Sequence, residues 1–103
     1  MLESFVLETF QPHVGTVFQL TTGPDSTLDL ELIEVKSLKL PGGEVRAGTR
    51  SEPFRLTFRA ADTETYYEQQ IFQLTHEELG PLEMFLVCIG PDDDGMCYEA
   101  IFN

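Results

Sequence analysis

Positive charge is what this sequence has least of. Six lysines and arginines stand against eighteen aspartates and glutamates, a net charge of −12 over 103 residues. Nucleic acids and anionic membrane surfaces are held by extended basic faces, so direct binding of either is not expected. Residues that build metal and redox sites are scarce too. The two cysteines, Cys88 and Cys97, and the two histidines, His13 and His76, have no ligand-like spacing. No window approaches the roughly 20 apolar residues that cross a bilayer, and Met1-Leu-Glu-Ser-Phe-Val-Leu-Glu8 has neither the basic region nor the apolar run of a secretory signal. A cytoplasmic product with reduced thiols is the expectation. There is no Gly-x-Ser-x-Gly elbow, and Gly42-Gly43-Glu44 lacks the Gly-Lys-Ser/Thr ending of a phosphate loop. Eighteen acids give no reason to single out one catalytic pair. The chain is therefore expected not to be an enzyme, with no catalytic residue, no cofactor and no metal ligand.

What is present is the composition of one domain, residues 1–103, with 42% hydrophobic content, enough for a single core. The charge is banded. All six bases fall between residues 36 and 59, so a positive strip lies inside an acidic chain. The most organised stretch is the last, Leu82 to Asn103, in which two apolar runs flank Gly90-Pro-Asp-Asp-Asp-Gly95. It predicts a terminal β-hairpin whose Asp-Gly supplies the φ > 0 turn positions. Cys88 and Cys97 face each other if the turn centres on Asp92-Asp93, and separate if it centres on Asp94-Gly95.

Upstream, Thr9, Pro12 and Gly15 predict one short helical turn over residues 9 to 14, with Phe10 and Val14 both facing the core. Thr16–Thr22 alternates as a strand, and Gly23-Pro-Asp-Ser-Thr27 is a turn by composition. Leu28 to Leu40 is apolar at alternate positions but slips phase, which predicts bulges near Leu32-Ile33 and near Ser37. Pro41–Pro53 reads as a loop. Phe54-Arg-Leu-Thr-Phe-Arg59 is the cleanest strand; its outward arginines predict ion pairs with Asp29, Glu31 and Glu34 if the two strands adjoin. Tyr66–Thr75 predicts another strand, and His76-Glu-Glu-Leu-Gly80 a tight connection. The fold class is all-β: a small partly open barrel or sandwich of about six mostly antiparallel strands with one short N-terminal helical turn. The expected core is Phe10, Phe18, Leu20, Leu30, Leu32, Phe54, Leu56, Phe58, Leu74, Leu86, Tyr98, Ala100 and Phe102.

Four segments carry a family likeness: Glu8-Thr-Phe-Gln-Pro-His-Val-Gly15, Glu52-Pro-Phe-Arg-Leu-Thr-Phe-Arg59, His76-Glu-Glu-Leu-Gly80, and the terminal Phe85–Asn103. Together they resemble an uncharacterised family of small bacterial all-β domains. The resemblance covers nearly the whole chain, and its most specific part is the last segment. It brings no activity and no catalytic residues. It implies company with phage-tail-collar-like proteins, hence a place beside a filament or adhesin, and the cysteines depart from its pattern.

Asp92-Asp93-Asp94-Gly95 looks like part of a calcium loop. With Gly95 as the sixth residue of an EF-hand loop, however, the first and twelfth would be Gly90 and Ile101, where carboxylates are required. A solvated turn is the better reading. Two functions from different classes remain. One is a structural or protein-interaction domain that docks on an unidentified protein through strand edges, the Tyr66-Tyr67 region or the terminal hairpin. The other is an acidic decoy for the basic groove of a nucleic-acid-binding protein. Candidate interaction residues are Tyr66, Tyr67, Glu77, Glu78, Asp92, Asp93 and Asp94. The sequence carries no signal of oligomeric state.

Overall fold

The computed structural model describes residues 7–38, 53–61 and 67–102. The loop expected over 41–53 therefore lies outside the described residues except for Pro53, as does Tyr66. Six antiparallel strands are described: β1 (Val17–Gly23), β2 (Ser26–Ser37), β3 (Phe54–Ala60), β4 (Gln70–His76), β5 (Gly80–Pro91) and β6 (Met96–Phe102). They close in the order β1-β2-β3-β6-β5-β4, and β4 returns to β1. The expected partly open barrel or sandwich is thus corrected to a closed barrel. Closure rests on a short seam, Gln19 opposite Thr75 and Leu20 opposite Leu74.

Alternation makes the strands, and its phase fills the barrel. Phe18 and Leu20, Leu30 and Leu32, Phe54, Leu56 and Phe58, Leu74, Leu86, Tyr98 and Ala100 all point inward and are buried, as expected. Phe102 is half-buried instead, stacked on Phe54 with ring centroids 4.7 Å apart. Leu7, Ala60, Phe72, Leu82, Met84 and Met96 complete the core. The phase slip in β2 is a bulge between Leu32 and Glu34, which returns Val35 to the core side. Among the described residues no second bulge is seen near Ser37: from Glu34 the register runs unbroken to the Ser37–Phe54 pair.

The helical segment starts earlier than expected. A helix α1 (Leu7–Phe10) passes into a 3-10 turn at Gln11–His13, because Pro12 has no N–H to continue an α-helix. Phe10 is fully buried, its ring within 6.0 to 6.5 Å of Phe18, Phe54 and Phe102, so it plugs one barrel end. Val14 does not join it. It caps the 3-10 turn in an extended conformation and remains 46% exposed. Gly15 follows at φ +93°, the left-handed position expected to end the segment.

The terminal hairpin forms, for a different local reason than the sequence suggests. The backbone N–H of Asp92 bonds the Gly95 carbonyl at 2.8 Å, and positive φ falls at Gly90, not Gly95. Gly95 is required by proximity: a Cβ there would lie 1.9 Å from the Ala60 carbonyl oxygen on β3. A register shift between Cys88 and Gly90 sets Cys88 opposite Tyr98 and Cys97 opposite Gly90. Both thiols are free.

Candidate interaction face

Strands whose inner residues fill a barrel need polar residues outside. Three adjoining strands of this barrel break that rule. On β5, Leu82, Met84 and Leu86 point inward while Phe85 and Val87 point outward, so the run is apolar on both faces. On β4, Ile71 points outward directly opposite Phe85. On β6, Ile101 also points outward, two residues beyond Glu99, where the pairing with Val87 of β5 ends. Ile71, Phe85 and Ile101 are 63%, 50% and 47% exposed. Ile89, the residue skipped in the β5–β6 register, is also left exposed, farther along β5. The paired Ile71 and Phe85, with Ile101 and Ile89, make up an outer apolar ribbon on β4, β5 and β6.

Its surroundings are charged and polar. Glu83 on β5 and Glu99 on β6 border the ribbon, and Arg55 on β3 stands opposite Ile101. Arg55 is engaged with Glu34 at 3.1 Å and with Glu99 at 3.8 Å. This realises the expected ion pairing between β2 and β3 for one arginine. The other, Arg59, stands opposite Glu31 in the register but binds Asp92 instead. Beyond Ile71 the β1–β4 seam opens into a cleft of about 250 Å³ lined by Thr21, Thr22, Tyr67, Gln70, Ile71, Phe72 and Gln73.

The residues singled out from sequence do not converge. Tyr67 is half-buried: its N–H donates to the Tyr98 hydroxyl at 3.1 Å, and its ring meets Phe72 edge-on. Glu77 and Glu78 are exposed on the turn between β4 and β5, at the end plugged by Phe10. Asp92, Asp93 and Asp94 are exposed on the turn after β5, at the opposite end. Asp92 is a structural residue of that turn. Its Oδ1 accepts the N–H groups of Asp94 and Gly95 at 2.8 and 2.9 Å, and its Oδ2 takes Nε and Nη2 of Arg59 at 3.1 and 2.7 Å. The Arg59 guanidinium, with the Asp94 N–H, holds the Asp92 carboxyl down at about 2. Burial pushes the neighbouring Cys97 thiol up.

Sequence spacing gave no hint of one further cluster. Barrel closure brings the rings of His13 and His76 to 4.7 Å between centroids. His76, buried at 4% exposure, lies against Phe18 and bonds Thr16 Oγ1 through Nε2 at 3.0 Å. Among the described residues no group of three or more His, Cys, Asp or Glu side chains is placed to hold a metal ion. None of the described helices is long and apolar enough to cross a membrane.

Fold and face define a small, strongly acidic closed β-barrel with an apolar ribbon on its outside. The chain belongs to the family described as Domain of unknown function (DUF6916), which it matches over residues 5–102. No curated protein matches it. No solved structure matches it either.

Proposed function

We propose that this chain is a non-enzymatic docking domain of the bacterial cytoplasm that binds another protein through the Ile71–Phe85–Ile101 ribbon. The observation that supports it is the exposure of three large apolar side chains on three adjoining strands, two of them directly opposite each other. Each such side chain gains about 1.5–3 kcal/mol when fully buried, and an apolar patch of this kind on a soluble domain marks an interaction surface. Glu83 and Glu99 at its border select a partner that presents an apolar ridge flanked by lysine or arginine. A second copy of the chain fits poorly, since it brings the same acids and a further charge of −12. The family resemblance directs the partner search to phage-tail-like or surface filament proteins, with the domain as an accessory or assembly partner.

The acidic-decoy reading is weaker because its carboxylates are divided. The Glu77-Glu78 and Asp92–Asp94 turns stand at opposite ends of the 12-residue strand β5. The test is affinity capture from host lysate with parallel low-salt and high-salt washes, using the parent protein and the Ile71→Ser, Phe85→Ser double variant. A filament or surface protein that survives high salt and is lost with the double variant supports docking at the ribbon. A basic nucleic-acid-binding protein that salt strips away, and that the double variant still captures, refutes it.

A further inference from the structure

The buried His76 imidazole joins two parts of the barrel end that are far apart in sequence. Its Nδ1 accepts the backbone N–H groups of Glu78 and Leu79 at 3.0 and 3.2 Å, closing the turn between β4 and β5. An accepting Nδ1 carries no proton, so the neutral ring holds its proton on Nε2. That N–H donates to Thr16 Oγ1 at 3.0 Å, and the Thr16 hydroxyl donates in turn to the His13 carbonyl oxygen at 2.6 Å. A single ring thus fastens the turn to the 3-10 segment that follows the Phe10 plug. Every atom in the chain of bonds has one assigned role.

A second proton can enter only at Nδ1, where it would point at two N–H groups. The bonds that close the turn and the protonated ring exclude each other. We propose that His76 is an acid-sensitive latch: protonation at Nδ1 opens the Glu77–Leu79 turn, while the Nε2–H bond to Thr16 is kept and ties the opened end to the helical segment. The groups facing the ring are His13 from the 3-10 turn and Glu77 and Glu78 from the β4–β5 turn; β1 and the residue preceding it contribute the uncharged Phe18 and Thr16. Burial first, then the charge of His13, lowers the tendency of His76 to protonate, against the pull of the two glutamates. The unfolded chain therefore takes the proton first. Stability is intact above the ordinary imidazole value of 6.5 and falls as the pH drops below it.

The test is a pH titration of the full chain from 8 to 4, followed by NMR of the imidazole nitrogens and the backbone amides. The expected result is the Nε2–H form at neutral pH, protonation below 6.5, and amide signals of Glu78, Leu79 and Thr16 that move with the ring. Exchange of the Glu78 and Leu79 amides should quicken at least tenfold across that step, after correction for the intrinsic pH dependence of exchange. His76→Asn keeps a side-chain acceptor for the turn and should abolish the step, whereas His13→Asn should retain it at higher pH. An Nδ1–H form at neutral pH, or a ring that titrates while these amides stay still, overturns the proposal. Both readings come from the parent protein, so they hold even if His76→Asn does not fold.

Discussion

A methyl group at Gly95 has no room. Its position would lie 1.9 Å from the Ala60 carbonyl oxygen and 2.9 Å from both the Ala60 carbonyl carbon and Arg59 Cγ, and two of these three are backbone atoms that cannot swing aside. Gly95→Ala should therefore spread β3 from β6 at the Ala60–Met96 pair and cost about 1–3 kcal/mol, the usual range for overpacking. Gly90→Ala is the control. That residue has φ +104° and open space around it, so only the conformational cost of about 1–2 kcal/mol applies. Denaturant midpoints of the two variants, together with hydrogen exchange at the Met96 amide, separate the mechanisms: only Gly95→Ala should loosen the β3–β6 pair. Asp92 gives a second prediction at this scale. Its carboxyl is depressed to about 2, so the stability it contributes is present above the ordinary value of 3.8 and is lost as the pH falls through about 2. Carbon-13 titration of the side chain should show that midpoint in the parent protein and a return towards 3.8 in Arg59→Gln.

At the scale of elements, the helical segment acts through one residue. Phe10 is fully buried among Phe18, Phe54 and Phe102, while the helix around it is only four residues long and has little stability of its own. Phe10→Ala should cost about 3–5 kcal/mol, whereas Val14→Ala, at a 46% exposed position, should fall within about 0.5 kcal/mol of the parent. Thermal unfolding of the two variants checks the contrast. The strands were legible because alternation reports which residues share a face, and even the phase slip at Leu32-Ile33 located its bulge. Val14 was not legible by helical spacing, since Pro12 changes the winding between it and Phe10. The ribbon does leave a signal in the sequence: in Leu82-Glu-Met-Phe-Leu-Val-Cys-Ile89, apolar residues occupy both faces of a strand that has only one inside. The His13–Thr16–His76 chain left none. Sixty residues separate Thr16 from His76, and only closure of β4 against β1 brings them together.

The whole molecule combines a thin seam with a large charge. Pairing between β1 and β4 is confined to two residue pairs, while every other neighbouring pair of strands shares a longer register. Opening should therefore begin at this seam, where the cleft beside Thr21 and Gln73 already separates the strands. The net charge of −12 pulls in the same direction, because like charges are farther apart in an expanded chain. Against it stand, among the described residues, a few partly exposed ion pairs, Arg55 with Glu34 and Glu99 and Arg59 with Asp92. Exposed pairs of this kind contribute little, and salt weakens them further. Two opposing effects of salt are thus built into the same molecule, and the sizes decide between them. Twelve net charges outweigh the three weak contacts among the described residues, and the Debye length, about 30 Å at 10 mM and about 8 Å at 150 mM, drops from beyond the domain's shortest extent of 24 Å to well below it. Raising sodium chloride from 10 to 150 mM should therefore raise the melting temperature, by about 4–8 °C for each kcal/mol of repulsion removed. Amide exchange at Leu20 and Leu74 should slow in parallel. A melting temperature that falls over the same range would mean that the ion pairs, not the net charge, govern how tightly the barrel closes.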